Sequence, residues 1–244
     1  MESAGDRQAR EDLAAALRLA ARFGLNEGVC NHFSYALPGR DDRFLLNPHG
    51  RHWSLMRPSD MLLLDGEGRE LEGRGVPEVT AFVIHAAVHA ARPDARCVLH
   101  THMPYATALT CLADPRLLPL SQNALRFHGE IAYDPDYGGL AETPAEGRRI
   151  AAGLGAARVL FMANHGVLVV GPTIAEAFDR LYYLERACQL QVLALSTGRP
   201  LAPLGDNRAA STKAEFDAGG SYAESHFAAL KELLDHEDGE WRRG

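Results

Sequence analysis

The stretch Cys97-Val98-Leu99-His100-Thr101-His102 decides how the rest of the chain is read. A short apolar run delivers two histidines one residue apart. On a strand, that period points both rings to the same side. Two imidazoles so placed can bind one divalent ion, which ordinary core residues do not prepare. A third histidine stands in a similar setting in Arg158-Val159-Leu160-Phe161-Met162-Ala163-Asn164-His165-Gly166, where an apolar strand ends in a polar turn. Three histidines at strand ends, with room left for substrate or water, are the usual furnishing of a catalytic metal site.

The 244 residues suit one large domain or two small ones and can bury a substantial core. Composition is that of a soluble globular protein, 46% hydrophobic and 23% charged. A net charge of −7 without a basic stripe argues against nucleic acid as a partner. Cys30, Cys97, Cys111 and Cys188 have neither metal-site spacing nor a disulfide pattern. The first residues are polar and acidic, and no apolar run reaches membrane-spanning length, so no membrane partner and a cytoplasmic location are expected.

Outward from the histidines, periodicity predicts a helix from about Asp6 to Phe23, stopped by Gly24. A Gly/Asn turn leads into a strand on which His32 and Ser34 share a face. A strand over Phe44-Leu45-Leu46 breaks at Asn47-Pro48-His49-Gly50, and a hairpin joins Met61–Leu64 to Glu70-Leu71. A helix is predicted from near Glu78 to Ala91. His85 and His89 stand four apart on it, a metal-clamping spacing, but Ala86 replaces the glutamate of a metalloprotease helix, so both are read as packing residues or as supports behind a metal ligand. Further helices are expected over Met103–Leu112, from Thr143-Pro144 to Gly153, from Pro172 to about Ser196, and as one segment from about Ser211 to Leu234. Leu117–Leu120 reads as strand-like. His52, His226 and His236 read as surface residues. The sum is one domain over 1–244, with its core at about 10–196, a C-terminal helix at about 211–235, a sheet inside and helices on its faces.

The helix leading to Arg92-Pro93-Asp94-Ala95-Arg96, the His100-Thr101-His102 pair and Asn164-His165-Gly166 together resemble the class II aldolase/adducin family, from about Leu13 to Ala194. The resemblance implies a single α/β/α domain with a central, mostly antiparallel sheet flanked by helices, often assembled as a homotetramer with active sites near subunit interfaces. It implies that His100, His102 and His165 bind the catalytic divalent ion, zinc first, with manganese or iron as alternatives.

The chain also departs from the sugar-phosphate aldolases of that family. Their Gly-Asn-x-Ser phosphate segment corresponds to Asn31-His32-Phe33-Ser34, which keeps Ser34 and replaces the asparagine by His32. Asn47 and His49 lie in the turn resembling their second phosphate segment, where Gly50 is retained. Their Ser-Ser-Glu segment falls on Val79-Thr80-Ala81, so Thr80 remains as a hydroxyl and the acid/base glutamate is missing. Glu78 is the nearest substitute. The aspartate of the epimerase branch falls near Leu125, although Gln122 resembles a residue of that branch.

A phosphate dianion needs several charge-assisted donors, and this chain has lost part of the set, which points to a small non-phosphorylated carboxylate. His32 and His49 are candidate donors to it. The expected activity is metal-dependent lysis of a C–C bond in an oxo- or hydroxy-carboxylate, by aldol cleavage or decarboxylation. Decarboxylation needs no base to begin, and His128, Tyr133 and Tyr137 are candidate proton donors. Two alternatives stand beside it: an iron(II)-dependent oxygenase on the same scaffold, and a non-catalytic adducin-like assembly module. The helix from Pro172 and the C-terminal helix are the expected oligomer contacts.

Overall fold

The computed structural model describes residues 3–40, 42–73, 75–220 and 222–243. Eight strands form one sheet: β1 (His32–Ala36), β2 (Arg43–Leu46), β3 (Leu62–Asp65), β4 (Glu70–Glu72), β5 (Cys97–Thr101), β6 (Ile131–Asp134), β7 (Val159–Met162) and β8 (Gly166–Gly171). Their order is β4-β3-β2-β1-β5-β8-β7-β6. The pairings are antiparallel except β6 with β7, so the sheet is mixed and mostly antiparallel, as the resemblance implies. Around it lie α1 (Ala4–Arg22), α2 (Val79–Ala91), α3 (Pro104–Thr110), α4 (Gln122–Leu125), α5 (Pro144–Leu154), α6 (Ile174–Ser196), α7 (Asp206–Ala218) and α8 (Ala223–Glu237).

The two-residue strand period sorts the core. Cys97, Leu99, Val167 and Val169 face a cluster with Leu13, Leu17, Leu109, Phe178 and Phe227 from α1, α3, α6 and α8. Val98, Leu160, Leu168 and Val170 face the other side, against Ile84, Val88 and Ile150 of α2 and α5. Leu13, Ala16, Leu17 and Ala20 of α1 are fully buried, and each buried leucine contributes about 1.5–3 kcal/mol. His100 alternates onto the α2 side with Val98, and His32 stands opposite His100 in the β1–β5 register. The topology thereby places one histidine from each of two adjacent strands under one helix.

Two expectations are corrected. The single helix predicted over Ser211–Leu234 is two helices, because Gly219-Gly220 interrupts it, with Gly220 at φ +76°; Ser221 lies outside the described residues. Leu117–Leu120 is not a strand: Gln191 Oε1 accepts from Leu118 N at 2.7 Å and Tyr133 Oη from Leu117 N at 3.1 Å. Pro119 has no N–H to give a ladder. Among the described residues, no helix is long and apolar enough to cross a membrane.

Candidate metal centre

β5 runs out at Thr101, and His102 continues its alternation beyond the last ladder pair, beside His100. The β7–β8 turn brings His165 to them. Asn164 carries it at φ 56°, a left-handed conformation that asparagine tolerates better than most residues. One ligand atom from each of His100, His102 and His165 lies within 4.8 Å of the others. The ring centroids are 4.8 to 5.0 Å apart. His100 is buried, whereas His102 and His165 are half-buried, so the cluster is reachable from outside.

The hydrogen bonds decide what the cluster wants. His100 Nδ1 lies 3.0 Å from the Val167 carbonyl, which can only accept, so Nδ1 carries the proton. His102 Nδ1 lies 2.5 Å from Glu27 Oε2, another acceptor. In the neutral rings both Nε2 atoms are therefore bare, yet they face one another at 3.1 Å. Two lone pairs at that distance repel unless a cation sits against both. The donor set fits a divalent ion held by three imidazole nitrogens with positions left open. Burial and the neighbouring His102 push His165 down to about 4, which keeps it in the ligating form.

Supports behind the triad fix its shape. Asn31 Oδ1 accepts from Glu27 N at 2.7 Å, steadying the carboxylate that orients His102. The buried Glu185 of α6 accepts from Tyr105 N and Ala106 N at 2.8 and 2.9 Å, pinning the start of α3 just after His102. Burial raises the Glu185 carboxyl despite these bonds. Gly166 leaves no room for a side chain: a Cβ would lie 2.6 Å from Thr101 O and 2.8 Å from His102 Cδ2. Glu27 and Glu185 escaped the sequence reading; an acid in the Gly/Asn turn directly before β1 was the available signal for the first.

Behind His100 lies a second set of histidines. His32 stacks at 4.8 Å from His100 between ring centroids. Its Nδ1 is 2.7 Å from His85 Nε2. His85 Nδ1 meets Ser34 Oγ, which is 2.7 Å from His89 Nε2, and His89 Nδ1 is 3.2 Å from Ala95 O. Burial holds His32 down at about 3 and His89 at about 4, with His85 well below the ordinary range. His85 and His89 are thus packing residues of a hydrogen-bonded kind.

The remaining candidates divide. Glu78 caps α2, accepting from Thr80 N at 3.2 Å and Ala81 N at 2.9 Å, and its Oε2 lies 3.8 Å from His32 Nε2. The carboxylate thus reaches the histidines from the helix start, one turn before the alanine. Thr80 spends its hydroxyl on Glu78. Ser34 is buried, with its hydroxyl occupied by His85 and His89. Asn47 braces the β1–β2 connection through Phe33 N at 2.8 Å, and His49 and Gly50 are exposed in the following turn.

Tyr133 and His128 are not brought to the triad within this chain. Tyr133 projects to the opposite sheet face, against Phe161, with its hydroxyl on Leu117 N; His128 shares a small cavity with it. Gln122 lines a cavity of about 830 Å³ between α4, α6 and α7, which is not at the histidines. Tyr137 lies near the triad, its ring 6.4 Å from that of His165. His226, expected at the surface, is half-buried on Asp179 at 2.7 Å.

A family model, the Class II Aldolase and Adducin N-terminal domain, matches residues 11–192. The chain belongs to the class II aldolase/adducin family. A putative aldolase class 2 protein of Caulobacter vibrioides is 41% identical over 193 residues, 79% of this chain and 74% of that protein. Decarboxylase NovR of Streptomyces niveus is 35% identical over 189 residues, 77% of this chain and 70% of that protein. A 4-hydroxy-3-prenylphenylpyruvate oxygenase/4-hydroxy-3-prenylbenzoate synthase of Streptomyces roseochromogenus is 35% identical over 187 residues, 76% and 67% respectively. Among solved structures, an aldolase II superfamily protein from Pseudomonas syringae superposes with a TM-score of 0.91 at 33% identity, covering 98% of this chain and 97% of that one. An L-fuculose 1-phosphate aldolase from Glaciozyma antarctica superposes with a TM-score of 0.86 at 29% identity, covering 100% and 95%. The triad sits inside the matched span of this class II aldolase/adducin domain.

Proposed function

We propose that this family member is a divalent-metal-dependent lyase that breaks a C–C bond in a small non-phosphorylated oxo- or hydroxy-carboxylate, by decarboxylation or aldol cleavage. The carrying observation is the pair of bare Nε2 atoms on His100 and His102, with His165 closing the triad. A bound divalent ion would supply Lewis-acid stabilisation of charge developing on substrate oxygen. His100, His102 and His165 hold it, with zinc the first expectation. Glu27 and the Val167 carbonyl fix the tautomers of two of them. Glu78, 3.8 Å from His32, and Tyr137, beside His165, take the roles of acid and base. One feature favours a carboxylate over a phosphorylated sugar: Ser34 and Thr80 spend their hydroxyls internally.

The relative named as a decarboxylase supports this direction, and the one named as an oxygenase keeps iron(II)-dependent oxygen chemistry as the second reading. A homotetramer and a cytoplasmic location belong to the same proposal. The test is elemental analysis of the purified protein and of His100→Ala, followed by a panel of oxo- and hydroxy-acids assayed for carbon dioxide and aldehyde. Stoichiometric metal, lost in the variant, with product from one acid is the expected result. Oxygen uptake requiring ferrous iron would replace it with the oxygenase reading, and no metal after reloading would replace it with the assembly module.

A further inference from the structure

The histidines behind the triad form a chain whose direction is set at one end. The Ala95 carbonyl can only accept, so His89 Nδ1 holds a proton. In a neutral ring this leaves His89 Nε2 bare, and the Ser34 hydroxyl at 2.7 Å must donate to it. Having spent its hydrogen, Ser34 Oγ accepts from His85 Nδ1. His85 Nε2 is then bare and accepts from His32 Nδ1 at 2.7 Å. The sequence of donors ends with a lone pair on His32 Nε2. That atom faces another acceptor, Glu78 Oε2, 3.8 Å away, whose other bonds all come from donors at the α2 start.

We propose that the Ala95–His89–Ser34–His85 chain is a tautomer clamp that presets His32 Nε2 as a hydrogen-bond acceptor, so that His32 takes the single hydrogen of a hydroxyl on the substrate, beside the Glu78 carboxylate. This rests on the carboxylate reading above and narrows it: the group meeting His32 is a donor, as in a hydroxy-carboxylate, and the substrate carboxylate lies elsewhere. It also reverses the sequence expectation that His32 donates to a carboxylate. His32 and Glu78 are the groups that would touch substrate, whereas Ser34, His85 and His89 are positioning residues that act through His32. Four buried polar side chains with every hydrogen assigned make a stiff network, since any reversal strands a donor or acceptor.

The test separates the clamp from the lyase reading. Long-range proton–nitrogen correlation spectra of nitrogen-15-labelled, zinc-loaded protein report the tautomer of each ring without any turnover. The expected pattern is a protonated Nδ1 and a pyridine-type Nε2 on His32, His85 and His89; a protonated Nε2 on His32 would overturn the proposal. In parallel, binding of lactate and propionate is measured for wild type, Ser34→Ala and Ser34→Thr. Zinc is present throughout, so changes between proteins isolate the His32 contact. Ser34→Ala should cut the preference for lactate by about tenfold, the worth of one hydrogen bond, and Ser34→Thr should restore it. An unchanged preference in Ser34→Ala would sink the clamp. Failure of the lyase reading would instead appear as the expected tautomers with no product from any acid.

Discussion

The Glu27 carboxylate lies 2.5 Å from Nδ1 of His102 across 75 residues of sequence, and this contact points the other nitrogen of the ring at His100. A carboxylate behind a ligating imidazole fixes the tautomer and raises its basicity, and losing such a partner costs about 10–100-fold in metal affinity. Glu27→Ala is therefore expected to weaken zinc binding by that factor without changing stoichiometry at saturation, read by competition with a chelator. Unchanged affinity would show that the contact does not orient the ligand.

His165→Ala should abolish stoichiometric metal, because only two imidazoles remain. His89→Ala should keep it, since His89 bonds Ser34 and Ala95 and lies outside the triad. Its cost falls on stability, about 2–4 kcal/mol for the cavity and the stranded Ser34 hydroxyl. Elemental analysis and urea denaturation of both variants check the pair, and equal metal loss would contradict the division.

Gly166 packs where a Cβ would collide with Thr101 O and the His102 ring, so Gly166→Ala should displace His102 as well as strain the β5–β8 contact. Reduced metal affinity with a lowered Tm is expected. Full affinity in a folded Gly166→Ala protein would count against the tight seating of His102.

Stability should fall in mild acid. His89 is held at about 4 in the folded chain by burial, against its ordinary 6.5 when unfolded. Its surroundings are His85 on α2, Ser34 on β1, the Phe44 ring of β2 at 5.1 Å and the Ala95 carbonyl. Between those two values the unfolded state binds the extra proton, so stability rises with pH there. The His89 contribution is whole above pH 6.5 and is lost progressively as pH falls to about 4, amounting to about 3 kcal/mol. Urea titrations across that window should show the slope, reduced in His89→Gln.

The triad was readable because strand alternation puts His100 and His102 on one side whatever surrounds them, and because Asn164-His165-Gly166 reads as a turn on composition alone. The helix starts near Thr143 and Pro172 were readable for similar local reasons. Glu27, Glu185 and the Ser34 network depend on register and helix docking over long separations, which no local pattern carries. Tyr133 shows the opposite hazard. It stands among plausible proton donors in sequence, yet one step of the β6 period sends it to the far face of the sheet. Leu117–Leu120 looked like a strand on its leucines, and side chains from α6 and β6 took its backbone bonds instead.

The placing of β5 between β1 and β8 also bears on how the protein is made. His100 is braced by a carbonyl 67 residues later and His102 by a carboxylate 75 residues earlier. Such distant pairings form slowly, because chain closure must precede the contacts that reward it. A nascent or partly collapsed chain owns only the His100–His102 pair, unoriented, and would hold an ion weakly and without choice. If the triad takes up zinc as proposed, its capture is the closing event of folding, and a zinc-sensitive dye in a refolding experiment should release its zinc in step with the slowest phase.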